Sequence, residues 1–586
     1  MSARLQPTQV APVLGAPEAE SVVDRLRQHA ERNPDRLVYR FLGDGERETA
    51  RITYGELDRR ARAVAARLAD RELAGERVLL LYPPGIEFIV GLFGCLYAGV
   101  IAVPANPPSG RRGLPRLGAI VGSAAPRAAL TTGAELARIR SRTSPHLDAE
   151  SVFWLASDSI SADSPAGWKP PATRGDRPAL LQYTSGSTAQ PKGVVVSHAA
   201  LAFNERLIST AFGVTEDSVV VSWLPVYHDM GLIGGVLQPA FAGACAILMP
   251  PVAFLQRPQR WLQAISEHRG DVSGAPDFAY DLCVRRVGEQ LRSRLDLSGW
   301  RVAFNGAEPV HAETLDRFAE AFGPCGFRPL AFVPCYGLAE ATLFVSGASR
   351  PRPPTVLPVA TAALEQGRVE PTTAGPGPGA SSASAGRGDG GRERRVVGCG
   401  LVAEDLRVVI ADPETLTPCP PGRVGEIWIA GPSVASGYWD DEGGSRLTFG
   451  AALPGDPGPF LRSGDLGWIR DGELFIGGRL KDLIIVRGRN HYPQDLERTA
   501  GSAHPSLRPG AGAAFGVGAA TGEEAVLVHE VERGLREVDA EEVATAVRAA
   551  VADEHQLRIA EVVLIRPGSL PMTTSGKVQR AACRDL

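Results

Sequence analysis

Leu181-Gln182-Tyr183-Thr184-Ser185-Gly186-Ser187-Thr188-Ala189-Gln190-Pro191-Lys192-Gly193-Val194 places hydroxyls, two glycines and a lysine in one loop behind an apolar run. Such a loop suits a polyphosphate. Glycine lets backbone N–H groups approach phosphate oxygens closely, serine and threonine hydroxyls add donors, and a lysine supplies compensating charge. A Walker A loop needs Gly before the lysine and Ser or Thr after it, whereas Lys192 stands between Pro191 and Gly193. Shorter Ser/Gly clusters usually mark surface turns; the length and order of this one set it apart. Thr184, Ser185, Gly186, Ser187, Thr188 and Lys192 are the candidate phosphate contacts.

The chain has 586 residues, too many for one hydrophobic core and enough for two or three domains. Its net charge of -4 gives no support to nucleic-acid binding, which needs a strongly basic face. The cysteines at 95, 245, 283, 325, 335, 399, 419 and 583 form no C-x-x-C pair, so neither a zinc site nor a disulfide framework is indicated. A reducing cytoplasmic location is expected. Residues 1–20 are polar and Pro/Ala-rich, without a basic segment leading into an apolar one, and read as a flexible leader and not as a signal peptide. The longest apolar run, 88–103, has sixteen residues and ends at Pro104. That is short for a membrane span, so a buried helix running into a buried strand is expected, with no transmembrane segment.

Thr53 with Glu56 three residues on forms a capping-box pattern, and Leu57, Ala61, Val64, Ala65 and Leu68 follow at helical spacing. Beyond this helix, β-rich runs at 77–82, 100–103, 218–222 and 244–249 alternate with helical stretches such as 312–322. Alternation of that kind implies a layered α/β architecture with buried sheets. No fixed-period repeat is present. Residues 351–358 are proline-rich, and the Gly/Ser/Ala tract 375–391 cannot bury enough apolar surface to order itself. It is expected to be a mobile loop, with Arg387, Arg392, Arg394 and Arg395 as its solvated edge. A second boundary falls at Gly478-Arg479-Leu480-Lys481-Asp482. Strands at 483–486 and 525–528 follow, with a helix opened by Asp539 and Glu542, enough for an α+β domain of about a hundred residues. The expected division is a leader 1–20, a large domain 21–478 carrying an insertion and loop at 351–395, and a small mobile domain 479–586.

Four more blocks carry chemistry. Tyr227-His228-Asp229 opens the apolar, glycine-rich segment Met230-Gly231-Leu232-Ile233-Gly234-Gly235, and glycine at a pocket mouth leaves room for a chain to pass. Asn305-Gly306-Ala307-Glu308-Pro309 and Tyr336-Gly337-Leu338-Ala339-Glu340 combine glycines with a flat ring, so that a purine can lie against the backbone, and a carboxylate beyond it can hold magnesium. In Arg462-Ser463-Gly464-Asp465-Leu466-Gly467 and the following Gly478-Arg479, Asp465 can accept both ribose hydroxyls, and Arg479 adds a ribose or phosphate contact. In Leu570-Pro571-Met572-Thr573-Thr574-Ser575-Gly576-Lys577, the flexible Ser-Gly turn can deliver an ammonium into a cleft.

In this order the blocks resemble the signature motifs of the adenylate-forming enzymes, the superfamily of acyl-CoA synthetases, luciferases and nonribosomal adenylation domains. Within it the chain most resembles the fatty acyl-AMP ligases, from about Ser21 to the C-terminus. The resemblance implies ATP and Mg2+ as cofactors, with Gly306, Ala307, Glu308, Tyr336 and Gly337 at the adenine and Glu340 as the metal ligand. It further implies His228 at the acyl carboxylate, and Tyr227, Met230, Gly231, Ile233 and Phe278 along the acyl chain. Lys577 becomes the catalytic lysine and Lys481 the hinge. Many relatives carry Asn where Asp277 stands. The segment 485–497 is like that of the acyl-AMP ligases, where typical CoA synthetases differ.

The implied reaction is ATP-dependent formation of an acyl-adenylate from a medium- or long-chain fatty acid, then acyl transfer to a carrier-protein thiol. The expected acceptor is an acyl carrier protein on a separate chain, of polyketide synthase or nonribosomal synthetase type. The rival is a fatty acyl-CoA synthetase; an insertion resembling 357–370, with Val397-Gly398-Cys399-Gly400 downstream, separates the two. A non-catalytic adenylate-binding relative is the third reading, and pyrophosphate exchange distinguishes it.

Overall fold

The computed structural model describes residues 20–107, 114–141, 152–161, 168, 175–184, 191–347, 352–372, 392–519, 522–535, 538–573 and 576–585. Most of the leader, and the whole 375–391 tract with Arg387, lie outside the described residues.

Two largely parallel sheets form the centre. One runs, in spatial order, Phe332–Pro334, Val302–Asn305, Val272–Ala275, Val219–Ser222, Cys245–Leu248, Leu37–Leu42 and Glu48–Thr53, with only the last pair antiparallel. The other runs Phe153–Ala156, Ala128–Thr131, Arg77–Leu80, Ile101–Pro104, Pro178–Tyr183 and Gly193–Ser197, again antiparallel only at its last pair. Strands buried on both faces read as unbroken apolar runs, as Arg77–Leu80 and Ile101–Pro104 do, so the α/β layering expected from the alternation is present. The apolar run at 88–103 resolves as expected into the helix Ile86–Ala98, buried along nearly its whole length, and the strand Ile101–Pro104. Thr53 caps the helix Tyr54–Ala69 by accepting from the Glu56 amide. Residues 312–322 form a helix as expected.

A third, mostly antiparallel sheet includes Tyr336–Gly337, Phe344–Gly347, Glu393–Val402, Gly425–Ala430, Asp456–Arg470 and Glu473–Arg479. Within the insertion, Val356–Ala360 pairs antiparallel with residues 393–397. Val359 and Leu364 bury against Val396, Trp468 and Phe475. Toward the C-terminus, Leu507–Ala519, Gly522–Val531 and Ile559–Ile565 form a separate sheet. The helices Pro493–Ala503 and Ala540–His555 accompany it, and Leu496, Leu507, Leu527, Val543, Val547 and Ile559 belong to a core cluster of their own.

The parallel strands explain where a ligand would sit, because open α/β sheets bind at the carboxyl ends of their strands. Thr184 follows Pro178–Tyr183, Trp223 follows Val219–Ser222, Pro276 follows Val272–Ala275, and Gly306 follows Val302–Asn305. Tyr336 likewise follows Phe332–Pro334, so these five motif segments leave their sheets at the same kind of edge.

Candidate active site

The phosphate loop springs from the pair Pro178–Tyr183 and Gly193–Ser197, with Tyr183 opposite Gly193, and the Thr184 amide donates to the Lys192 carbonyl at 3.1 Å. Ser185, Gly186, Ser187 and Thr188 lie outside the described residues. The helix Leu114–Ala124 backs this strand pair: Leu117 and Ile120 pack with Leu181 and Tyr183, and the Ser123 and Tyr183 hydroxyls are 2.9 Å apart. It carries Arg116 to the root of the loop, where its guanidinium donates to the Thr184 carbonyl at 3.4 Å.

Lys192 is drawn sideways by a segment that its local sequence does not announce. The Val195 amide donates to Gly437, and the Trp439 amide donates to Gly193, setting Tyr438 against the loop. The Lys192 ammonium stands 4.4 Å from the Tyr438 ring and 3.0 Å from the Asp441 carboxylate. The Tyr438 hydroxyl donates to Glu340 at 2.9 Å. One aromatic side chain thus touches both the loop lysine and the expected metal ligand.

The expected adenine wall is tightly built. A Cβ on Gly306 would sit 2.8 Å from the Cys335 carbonyl oxygen, so only glycine lets these strands approach. Ala307 has φ +70, a left-handed conformation costing a non-glycine residue of order 1 kcal/mol. Glu308 is half-buried, with its carboxyl pKa raised by desolvation, and accepts from the Phe278 amide at 2.7 Å. The Tyr336 hydroxyl donates to one oxygen of Asp465 at 2.8 Å, and Arg479 Nε donates to the other at 3.1 Å. A carboxylate offers about four acceptor sites, so Asp465 is oriented by these neighbours and retains capacity for ribose hydroxyls.

On the acyl side, the Tyr227 carbonyl accepts from Gln182 at 2.9 Å. Burial, with the charges of Arg116 and Lys577, holds the His228 pKa down to about 3, so the ring is neutral at pH 7. Asp229 accepts from the Met230 amide at 2.8 Å and opens a π-helix over Met230–Leu237. Helices of this type concentrate at functional sites. Ile233 is fully buried in the core. The expectation that Gly231 leaves room for a chain needs correction, because a Cβ there would meet the Pro225 carbonyl oxygen at 2.2 Å: its smallness admits the protein's own backbone. Gly234 has the free flank instead, with Leu343 nearest at 3.8 Å.

The lysine loop arrives from the C-terminal sheet. The Thr573 amide donates to the Lys577 carbonyl at 2.7 Å, and the Lys577 amide donates to the Thr573 hydroxyl at 3.0 Å. Gly576, at φ +86, lies against Phe278, whose ring carbon is 3.5 Å from the position of a Cβ. Lys577 is half-buried; desolvation of the ammonium and the charge of Arg479 lower its pKa, while Asp229, Glu308 and Asp465 pull the other way. Charges from the 229, 308 and 465–479 segments thereby act on one ammonium.

For magnesium, no cluster of three or more His, Cys, Asp or Glu side chains occurs among the described residues. Glu340 is a half-buried carboxylate whose pKa desolvation raises, with the Asp229 charge adding to the shift. A hard cation that fills most positions with phosphate and water suits one such carboxylate. Lys481 lies in the short 3-10 turn Leu480–Asp482.

The insertion touches the C-terminal part directly. The Asn490 amide donates to the Glu365 carbonyl at 2.9 Å, and Arg489 lies 3.6 Å from the Glu365 carboxylate. Arg394 is not a solvated edge: it pairs with Asp495 at 3.2 Å and stacks over Tyr492 at 4.8 Å, because strand pairing with the insertion turns it inward. Arg395 is tied to Asp316 at 3.0 Å. Asp277 is buried beside the site, accepting from Asn305 and Thr314 at 2.9 Å each. Arg116, Tyr438 and Asp441 were not singled out from sequence, and Asp229 was noted only as the neighbour of His228. Only the Gly437-Tyr438-Trp439 run of aromatics offered a signal, and nothing local linked it to the loop.

The AMP-binding enzyme family model matches residues 26–439, and that of the Disco-interacting protein 2-like AMP domain matches residues 481–585. The chain is 45% identical over 578 residues to the medium-chain fatty acid–acyl-carrier-protein ligase JamA of Moorena producens, covering 97% of this chain and 95% of that one. It is 38% identical over 614 residues to the long-chain fatty acid–AMP ligase FadD32 of Mycolicibacterium smegmatis, covering 97% and 94%. A crystal structure of the Legionella pneumophila fatty acyl-adenylate ligase with acyl adenylate and pyrophosphate superposes with a TM-score of 0.75 at 38% identity, covering 97% and 96%. With family model, relatives and fold in accord, the chain belongs to the AMP-binding, adenylate-forming enzymes, in the branch of the fatty acyl-AMP ligases.

Proposed function

We propose that the enzyme activates a medium- or long-chain fatty acid with ATP and passes the acyl group to the phosphopantetheine thiol of an acyl carrier protein. The observation that carries this reading is Lys577, a half-buried ammonium that Gly576 brings to Phe278 of the acyl side and that feels the charges of Asp229, Glu308 and Asp465. In the first step a fatty carboxylate oxygen bonds to the α-phosphorus of ATP, the bond from that phosphorus to the β-phosphate oxygen breaks, and pyrophosphate leaves. Two anions must meet, so positioning and charge neutralisation dominate.

Lys577 neutralises charge at the α-phosphate, Lys192 and the loop hold the outer phosphates, and Arg116 adds a third cation at the loop root. Tyr336 and Arg479 orient Asp465 toward the ribose, the 306–308 turn faces adenine, and His228 borders the carboxylate. Mg2+, held by Glu340, would supply Lewis-acid neutralisation of phosphate charge. In the second step the thiol sulfur attacks the acyl carbonyl, AMP leaves, and the thiol proton passes to solvent.

Each buried CH2 of the fatty chain favours binding by about 0.8 kcal/mol, which suits medium or long acids. The names of JamA and FadD32 support that range, and JamA's supports a carrier-protein acceptor. Contacts from Glu365 and Arg394 to residues 489–495 support an insertion that limits rotation of 479–586 and hence use of free CoA. A cytoplasmic enzyme serving a polyketide or nonribosomal synthetase completes the reading. The test is to follow pyrophosphate exchange over acids of increasing length, with acyl transfer to CoA and to a carrier protein measured side by side. Exchange with transfer to the carrier alone is expected; efficient acyl-CoA synthesis would overturn the acceptor, and absence of exchange would overturn the chemistry.

A further inference from the structure

Arg580 lies three residues beyond Lys577 and opens the short helix Arg580–Arg584. Its Nε and Nη2 donate to the two oxygens of Glu497 at 2.7 Å each, and Nη1 donates to Asp482 at 3.1 Å. All three side chains are largely buried, at 20, 12 and 19% exposure. Glu497 sits on the helix Pro493–Ala503 and also accepts from the Ala514 amide at 2.9 Å. Asp482 ends the turn Leu480–Asp482, immediately after Arg479, which is bonded to Asp465.

Lys577 itself makes no ion pair among the described residues. Its loop is shaped by its own bonds, Thr573 to Lys577 and the Gln579 amide to Pro571, but these fix nothing outside it. The fork of Arg580 does. A guanidinium bonded to two carboxylates is held in plane and direction, which a lysine ammonium cannot reproduce.

We propose that Arg580 is a positioning residue that locks the lysine loop to the turn at 480–482, so that rotation about this turn is transmitted to Lys577 without slack. The inference rests on the reading of Lys577 as the adenylation lysine. It separates two roles of one buried network. Glu497 secures the loop within the C-terminal fold, a structural use. Asp482 ties it to the turn, where an error of about 1 Å at the far end can cost about a hundredfold in rate.

The experiment compares Asp482→Asn, Arg580→Lys and Lys577→Ala in the full chain, measuring pyrophosphate exchange, thiolysis of pre-formed acyl-adenylate and the unfolding midpoint. Asp482→Asn should lower kcat of exchange about tenfold with KM for ATP and fatty acid within about twofold and little change in unfolding midpoint. Arg580→Lys, which keeps charge but not the fork, should lose kcat at least as strongly. Thiolysis should change less than about twofold in Asp482→Asn. Wild-type exchange in Asp482→Asn, equal losses in both half-reactions, or a loss that follows the folded fraction would each overturn the proposal. Near-normal exchange in Lys577→Ala would instead refute the reading of Lys577. An inactive Lys577→Ala beside a normal Asp482→Asn would sink the Arg580 tie alone.

Discussion

Lys192 and Lys577 both follow loops of small and hydroxylated residues, and both read as phosphate-facing cations, yet the structure treats them oppositely. Lys192 is partly exposed, with its charge spent on Asp441 and the Tyr438 face. Lys577 is half-buried beyond Gly576, its pKa lowered chiefly by desolvation, and it makes no ion pair among the described residues. The first arrangement is content without a ligand. The second carries a desolvation cost that nearby carboxylates only partly offset and that negative charge developing in the transition state would relieve, which fits a group that acts during reaction.

The strongest way to break this contrast is to remove each ammonium. On the proposed mechanism, Lys577→Ala should lower pyrophosphate exchange by more than about a hundredfold while ATP binding by calorimetry changes little. Adenylation above about a tenth of the wild-type rate would contradict it. Lys192→Ala should cost about tenfold and act mainly through KM for ATP, since it holds phosphates in ground and transition states alike. If the two variants lose kcat equally with unchanged KM, the difference between the lysines has no functional meaning.

Stability sharpens the same contrast. Lys577→Met should raise the unfolding midpoint of the ligand-free enzyme, because it removes a buried cation without a full partner; Lys192→Met should not. The pH dependence has a definite sign. Burial depresses the folded-state pKa of Lys577 below its ordinary 10.5, so between those two values the unfolded chain binds more protons and stability rises with pH. The advantage of Lys577→Met should therefore be full at neutral pH and shrink as pH climbs toward 10.5. An advantage unchanged across that window would mean that the ammonium is not what burial penalises.

The two lysines also show how far the sequence carries. Local pattern sufficed for the helix 312–322, for the Thr53 cap and for the strands Arg77–Leu80, Ile101–Pro104, Val219–Ser222 and Cys245–Leu248, because caps and apolar periodicity act over a few residues. Tyr438 could not be found that way. It reaches Lys192 only because Gly193 and Val195 pair with Gly437 and Trp439, and no local signal records such a pairing. Arg116 was hidden for the same reason, being brought to the loop by the packing of Leu117 and Ile120. Gly231 was noticed for a wrong reason: smallness is visible in sequence, but whether it admits a ligand or the Pro225 carbonyl is decided by tertiary approach.

The smallest effect is expected at Asp277, a buried charge beside the site whose bonds are structural. Burial pushes its pKa up to about 6, with the His311 charge working against the shift, and the Asn305 and Thr314 side chains bond to it at 2.9 Å. A carboxyl raised in this way contributes stability fully below its unfolded value of 3.8 and loses it as pH rises through about 6. Asparagine has nearly the same shape, cannot ionise, and can accept from Asn305 while donating to the Thr314 hydroxyl. Asp277→Asn should therefore stabilise the enzyme at pH 8 by about 1 to 3 kcal/mol, with the gain fading toward pH 5. Exchange at pH 8 should stay within about twofold of wild type, because nothing bonded to Asp277 faces a phosphate. A tenfold or greater loss of exchange at an unchanged unfolding midpoint would move Asp277 into the reacting site, and an equal gain in midpoint at both pH values would show that its ionisation is not the source of the cost.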